Sequence, residues 1–177
     1  MHNDIIILGG NTSNNIKWLR QMVNVYKKNY NVFSLFFDNW EDNSMIDFEK
    51  EGKKLRQLCK GKKNYVIIAK SAGAVLAAIE IEKNNITPSI FVVLGLPLKF
   101  TFENRIKIKE ILNNIMQMKE KTIINIANKV TDVKDMDKIY LMVDGKFVDN
   151  GTHDELLSRN SIYQEMYQYE MAGELVD

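Results

Sequence analysis

Tyr65-Val66-Ile67-Ile68-Ala69-Lys70-Ser71-Ala72-Gly73-Ala74 is the stretch that decides the fold. From Tyr65 to Ala69 the chain is apolar and largely β-branched, the pattern of a short strand covered on both faces. Lys70-Ser71 then turns the chain, and the small residues Ala72, Gly73 and Ala74 lead into a helix predicted over 73–82. A buried strand running directly into a helix is half of a parallel-sheet crossover, because parallel strands need a long connection to return to the same end of the sheet.

The same unit recurs on either side. Ile5-Ile6-Ile7-Leu8 is a continuous apolar run stopped by Gly9-Gly10. It is followed by helical spacing at Ile16, Leu19, Met22, Val23 and Tyr26, with Ser13 or Asn14 as its cap. A second strand is predicted over 32–37 and a helix over 45–58, capped by Ser44. Further strands are expected at 90–94, 122–127 and 138–143, and helices at 106–118 and 154–169. The reading is an α/β protein, three layers in αβα order around a mostly parallel sheet of about six strands, in one domain spanning the chain. In such sheets ligands sit beyond the carboxyl ends of the strands, where Gly9-Gly10, Asp38, Ser71 and Gly95 fall.

Composition narrows the classes of function. The 177 residues carry 24 basic and 23 acidic side chains, so no global field gathers nucleic acid or an anionic membrane. Lys50, Lys53, Lys54, Arg56, Lys60, Lys62 and Lys63 crowd one segment, which reads as a solvated helix face rather than a nucleic-acid patch. One cysteine, Cys59, allows no internal disulfide, and with His2 and His153 as the two histidines no Cys/His metal cluster is expected. No metal and no cofactor are expected. No apolar run reaches the roughly 20 residues of a membrane span, and the N-terminal residues do not read as a signal peptide, so the expected location is the cytoplasm. Methionines and tyrosines on the last helical segment suit core filling or a homodimer through the C-terminal helix.

The segment around Ser71 also has the order of a nucleophile elbow: strand, small residue, serine, small residue, helix, with Ala69 and Gly73 at the small positions. The alternative reading is a serine that caps the helix following a strand. Leu8-Gly9-Gly10-Asn11, Phe37-Asp38-Asn39-Trp40, Ala69-Lys70-Ser71-Ala72-Gly73 and Leu94-Gly95-Leu96-Pro97 together resemble the small, capless α/β-hydrolase-fold proteins. That resemblance covers 1–118 and implies Ser71 as nucleophile, an oxyanion hole from the amides of Gly10, Asn11 and Ala72, Asp132 as acid and His153 as base. The substrate it implies is a small acyl compound. Ala69 stands where the motif has glycine, and Leu8 where the family often has histidine.

The final stretch, 119–177, resembles a different family. Lys121-Thr122-Ile123-Ile124, Asp137-Lys138-Ile139-Tyr140-Leu141 and Gly145-Lys146-Phe147-Val148-Asp149-Asn150-Gly151-Thr152-His153-Asp154-Glu155-Leu156-Leu157 look like the C-terminal end of an ABC-transporter nucleotide-binding domain. Along this chain, however, Leu8-Gly9-Gly10-Asn11-Thr12-Ser13-Asn14-Asn15 lacks the lysine of a phosphate loop. The 90–94 strand runs into Gly95-Leu96 instead of acidic residues, and Asn128 occupies the position of the family's switch histidine. Two expectations follow: a serine hydrolase acting through Ser71, His153 and Asp132, or a catalytically silent α/β binding or interaction protein, or degenerate nucleotide-binding domain, without ATPase activity. A fusion and a chance likeness of the tail both fit the two-part pattern.

Overall fold

The computed structural model describes residues 4–42, 44–95, 102–118 and 121–174. The chain forms two compact units, Met1–Ile126 and Ala127–Asp177.

In the first unit, β1 (Asp4–Leu8), β2 (Asn31–Leu35), β3 (Val66–Lys70), β4 (Ile90–Leu94) and β5 (Thr122–Ile126) form one sheet in the order β2-β1-β3-β4-β5. Every pairing is parallel, with Leu8 opposite Ala69, Ala69 opposite Val93, and Leu94 opposite Ile126. Between the strands run α1 (Asn15–Tyr26), the single turn α2 (Asn39–Asp42), α3 (Phe48–Cys59), α4 (Ala72–Glu82) and α5 (Phe102–Met116). The order reverses between β1 and β3: β1 connects leftward to β2, and the chain then crosses to the right. Right-handed crossovers therefore place α1 on one face and α3, α4 and α5 side by side on the other.

Burial follows that cover. β1 and β3 are almost wholly inside, whereas β4 alternates and β5 has Ile124 and Ile126 exposed. α4 is apolar nearly all round because it lies on β3 with α3 and α5 on its flanks. A half-buried pair ties α3 to α4: Arg56 donates two bonds of 2.8 Å to the buried Glu80 carboxylate, which also accepts from Asn85.

The second unit has its own core of Val130, Ile139, Leu141, Leu156 and Tyr163. A 3-10 turn (Val130–Asp132) precedes an antiparallel hairpin of β6 (Ile139–Val143) and β7 (Lys146–Gly151), then α6 (His153–Arg159) and α7 (Ser161–Glu174).

Several expectations are corrected. The parallel sheet has five strands, not six, because β6 pairs with β7 in a separate hairpin. Asp144 and Gly145 both have positive φ, 47° and 75°, as a two-residue hairpin turn requires. The single helix over 154–169 is broken at Asn160, whose side chain accepts from the Tyr163 amide and whose own backbone is extended. The cap of α3 is Asp47, which accepts from the amides of Glu49 and Lys50, and not Ser44. The two units meet in sequence after Ile126, so β5, which falls in the ABC-like stretch of the sequence, belongs to the sheet of the first unit.

Candidate functional site

The carboxyl ends of β1 and β3 bring together the segments singled out in the sequence. Leaving β3, Ser71 takes φ 52° and ψ −120°, a conformation that costs a non-glycine residue about 1–3 kcal/mol and persists only where surrounding contacts enforce it. Those contacts are visible. The Ser71 amide donates to the Gly95 carbonyl at 3.0 Å, and the Gly73 amide donates to the Gly9 carbonyl at 3.0 Å. α4 thereby starts hard against the end of β1: a Cβ on Gly73 would stand 2.7 Å from the Leu8 Cβ and closer still to the Gly9 oxygen.

Gly10 is equally close from the other side, since a Cβ there would lie 3.2 Å from the Ser71 Cβ. Its carbonyl accepts from the Trp40 indole at 3.1 Å. Asn39 donates to the Asn11 backbone carbonyl at 2.8 Å and to the Asn11 side chain at 3.2 Å, which fixes the loop after β1. Asn39 is buried and its Oδ1 has no partner among the described residues. Asp38 is held by Lys50 at 2.8 Å and by Lys54, which keep its carboxyl below the usual range, while its amide donates to buried Glu51. These pairings, with Lys53 on Glu49, Arg56 on Glu80 and Lys62 on Asp4, show most of the basic run engaged with acids of the chain itself.

Ser71 opens α4, yet its side chain makes no capping bond. Ala72 is buried in the first turn of that helix, where the opening amides have no intrahelical acceptor. Ser71, Ala72, Gly10 and Asn11 thus share one corner of the first unit.

His153 and Asp132 belong to the second unit. His153 is the first residue of α6, and its Nδ1 shares a 2.9 Å hydrogen bond with the Tyr163 hydroxyl. Tyr163 and Tyr167 stand edge-on to the imidazole, with centroids 5.7 and 5.0 Å away. Asp132 ends the 3-10 turn, whose Val130 and Thr131 amides donate to the Glu170 carboxylate at 2.6 and 3.0 Å. Thr152 and Glu155 form a reciprocal capping box at the start of α6. On β7, Asp149 is bound by Arg159 and Asn160, which bring its carboxyl down to about 2. Leu96 and Pro97, part of the hydrolase-like pattern, and His2 lie outside the described residues. Among the described residues no group of three or more His, Cys, Asp or Glu side chains could hold a metal ion.

Comparison with known proteins adds a different kind of evidence. The chain is 38% identical over 61 residues to a mesentericin transport/processing ATP-binding protein of Leuconostoc mesenteroides, a match spanning 34% of this chain and 8% of that protein. It is 33% identical over 71 residues to an uncharacterised ABC transporter ATP-binding protein of Haemophilus influenzae, spanning 40% and 11%. A mitochondrial iron-sulfur clusters transporter of Aspergillus fumigatus matches at 34% over 56 residues, spanning 32% and 8%. The matched segments thus amount to about a tenth of each of these relatives. No family model matches the chain. A solved structure of a bacterial ABC exporter with ATP bound aligns with 94% of this chain and 36% of its own, at TM-score 0.48 and 14% identity, values from which no conclusion follows.

These relatives overturn the expectation of a serine hydrolase acting on a small acyl substrate: the chain's similarity is to ATP-binding proteins of ABC transporters. The motif at Ser71 is a local strand-turn-helix geometry, and such geometry arises wherever a parallel strand feeds a helix at close quarters.

Proposed function

We propose that this chain is a non-hydrolysing α/β protein carrying an ABC-type C-terminal segment, and that it works by binding rather than by catalysis. The similarity to ABC transporter ATP-binding proteins carries the reading. Their matches of 56 to 71 residues have about the length of β5 together with the second unit.

The absence of turnover is argued from residues along the chain. ATP hydrolysis requires a lysine in a phosphate-cradling loop and acids that hold magnesium and orient water. The loop after β1 reads Gly9-Gly10-Asn11-Thr12-Ser13, without lysine, and Gly95, not an acid, follows β4. In this reading His153 ties α6 to α7 through Tyr163, and Asp132 closes the turn that Glu170 holds. Ser71, Gly10, Asn11 and Ala72 offer the first unit's place for a small polar ligand, since the serine hydroxyl caps nothing and the parallel strands end there.

The macromolecular partner is the transmembrane part of an ABC transporter, because the relatives are ATP-binding components of such systems. Among the described residues no helix is long and apolar enough to cross a membrane, so residues beyond these, or another chain, would supply that part. The test combines intact-mass analysis after a fluorophosphonate probe with melting in the presence of Mg-ATP. No adduct at Ser71 and no rise in melting temperature are expected; an adduct lost in both Ser71→Ala and His153→Ala would sink the reading.

A further inference from the structure

β2 closes one edge of the first unit's sheet: among the described residues it pairs with β1 and with no strand on its other side. Every second residue of an edge strand turns its amide and carbonyl outward, which leaves a row of donors and acceptors open to a further strand. Edges are commonly blunted by lysine, proline or a bulge. β2 reads Asn31-Val32-Phe33-Ser34-Leu35 in unbroken register with β1 and carries none of these.

A groove of about 300 Å³ runs beside that edge, lined by Leu19, Arg20, Val23 and Asn24 of α1 together with Ser34 and Phe36. Side chains alternate along a strand, so Ser34 and Phe36 share the face that meets α1, while Phe33, whose ring lies beneath the Lys62 ammonium, is on the other. Phe36 is 45% exposed and stands edge-on to Trp40 with centroids 5.8 Å apart. The charge around the groove has one sign. From Ile5 to Phe37 the sequence holds no aspartate or glutamate, against Lys17, Arg20, Lys27 and Lys28, all on α1 or on the turn from it to β2. Among the described residues none of these cations has an ion-pair partner, in contrast to the basic run on α3.

We propose that the β2 edge and its groove bind an extended acidic segment of a protein partner, which adds a strand to the sheet and lays its alternate side chains between α1 and β2. The open backbone groups select an extended chain over a helix. The unpaired cations select acidic side chains, set among apolar ones that fill the groove over Leu19 and Val23. A second copy is the wrong occupant, since two such edges brought together would set like charges against each other. A nucleic-acid strand would meet the cations and leave both the backbone row and the apolar floor unmatched. In the sheet order β2 is also the strand farthest from β5, after which the second unit begins. This inference goes beyond the reading above and does not depend on whether the chain turns over ATP.

The test is fluorescence anisotropy of a labelled peptide of four Glu-Val repeats, titrated with the full chain. Saturable binding is expected, with a Kd below about 1 mM. A peptide of four Lys-Val repeats is expected not to bind, and neither is the acidic peptide with prolines at its two central valines, because proline has no amide hydrogen to pair with the edge. Arg20→Glu, at an exposed position, is expected to weaken binding about tenfold and Arg20→Ala by less, with circular dichroism unchanged in both. Amide resonances of residues 31–36 are expected to shift on binding, and Tyr169→Glu on α7 is expected to bind as the wild type does. Absence of saturation, equal binding of the proline peptide, affinity indifferent to Arg20→Glu, or resonance shifts confined to residues outside α1 and β2 would each overturn the proposal. Tighter binding of a short oligothymidylate than of the acidic peptide would also overturn it, by making the cations a nucleic-acid surface.

Discussion

Replacing Gly73 with alanine tests the packing that creates the corner at Ser71. The added Cβ would stand 2.7 Å from the Leu8 Cβ and closer to the Gly9 carbonyl, and neither neighbour is the free end of a flexible side chain. Either α4 retreats from β1 or the strand end shifts, and both movements stretch the 3.0 Å bond from the Gly73 amide to Gly9. Overpacking of this kind costs about 1–3 kcal/mol, against a gain of at most about 1 kcal/mol from the helix preference of alanine. Because the added Cβ would meet a backbone oxygen and a Cβ, neither of which can swing away, the cost falls in the upper part of that range, about 2–3 kcal/mol, and the net loss is about 1–2 kcal/mol. Gly173→Ala is the matched control: it is the same chemical change, on α7, where an added Cβ meets nothing within 4 Å. The assay is urea unfolding followed by far-ultraviolet circular dichroism, which reads the helices of both units, with the fluorescence of Trp18 and Trp40 isolating the first unit. Gly73→Ala should lower the midpoint clearly and Gly173→Ala should leave it unchanged. Equal or greater stability of Gly73→Ala would refute the close approach of α4 to β1.

Two further outcomes concern the second unit. Thr152→Ala removes one arm of the capping box and should destabilise α6 by about 1 kcal/mol, read as roughly fivefold faster amide exchange in that helix. Asp149 has its carboxyl lowered in the folded state by Arg159 and Asn160, so it contributes stability above the unfolded carboxylate pKa that is lost as pH falls from about 4 toward 2. Melting temperature against pH should show a slope in that window, shared with Asp38, that Asp149→Asn makes shallower; identical slopes in the two proteins would remove Asp149 as a contributor.

Much of the first unit was legible because its strands are continuous apolar runs and its helices carry clear periodicity. Ile5 to Leu8 and Val66 to Ala69 could be read as buried strands since both faces are covered, and α4 as a helix between neighbours. What the sequence reading lost was set by tertiary pairing or by local side-chain bonds. β6 looked like one more strand of the sheet, and only its partner β7 shows otherwise. Asp144-Gly145 is a hairpin signal that would have revealed β7, had the residues after Val143 been read for turn chemistry. The break at Asn160 arises from one side-chain bond to the Tyr163 amide, a preference of asparagine that a helical stripe of apolar residues conceals.

At the candidate site, the turn at Ser71 was visible as small residues around a serine, and its strained backbone agrees with that pattern. The roles given to His153 and Asp132 came from chain order within a family resemblance. In the structure both residues sit among contacts of the second unit, and chain order carries no information about such contacts. The resemblance of the tail to ABC-transporter nucleotide-binding domains agrees with the chain's similarity to ABC transporter ATP-binding proteins. It is reflected locally in the capping box at Thr152 and Glu155 and in the Asp149 to Arg159 pair.

The most direct measurement of the central claim is phosphate release from Mg-ATP by the purified full chain, alone and at several protein concentrations. A non-hydrolysing protein predicts no release above a control without protein, because no lysine follows Gly9-Gly10 and no acid ends β4. Release that scales with protein concentration and saturates with ATP would contradict the account and restore this chain to the ranks of working ATPases.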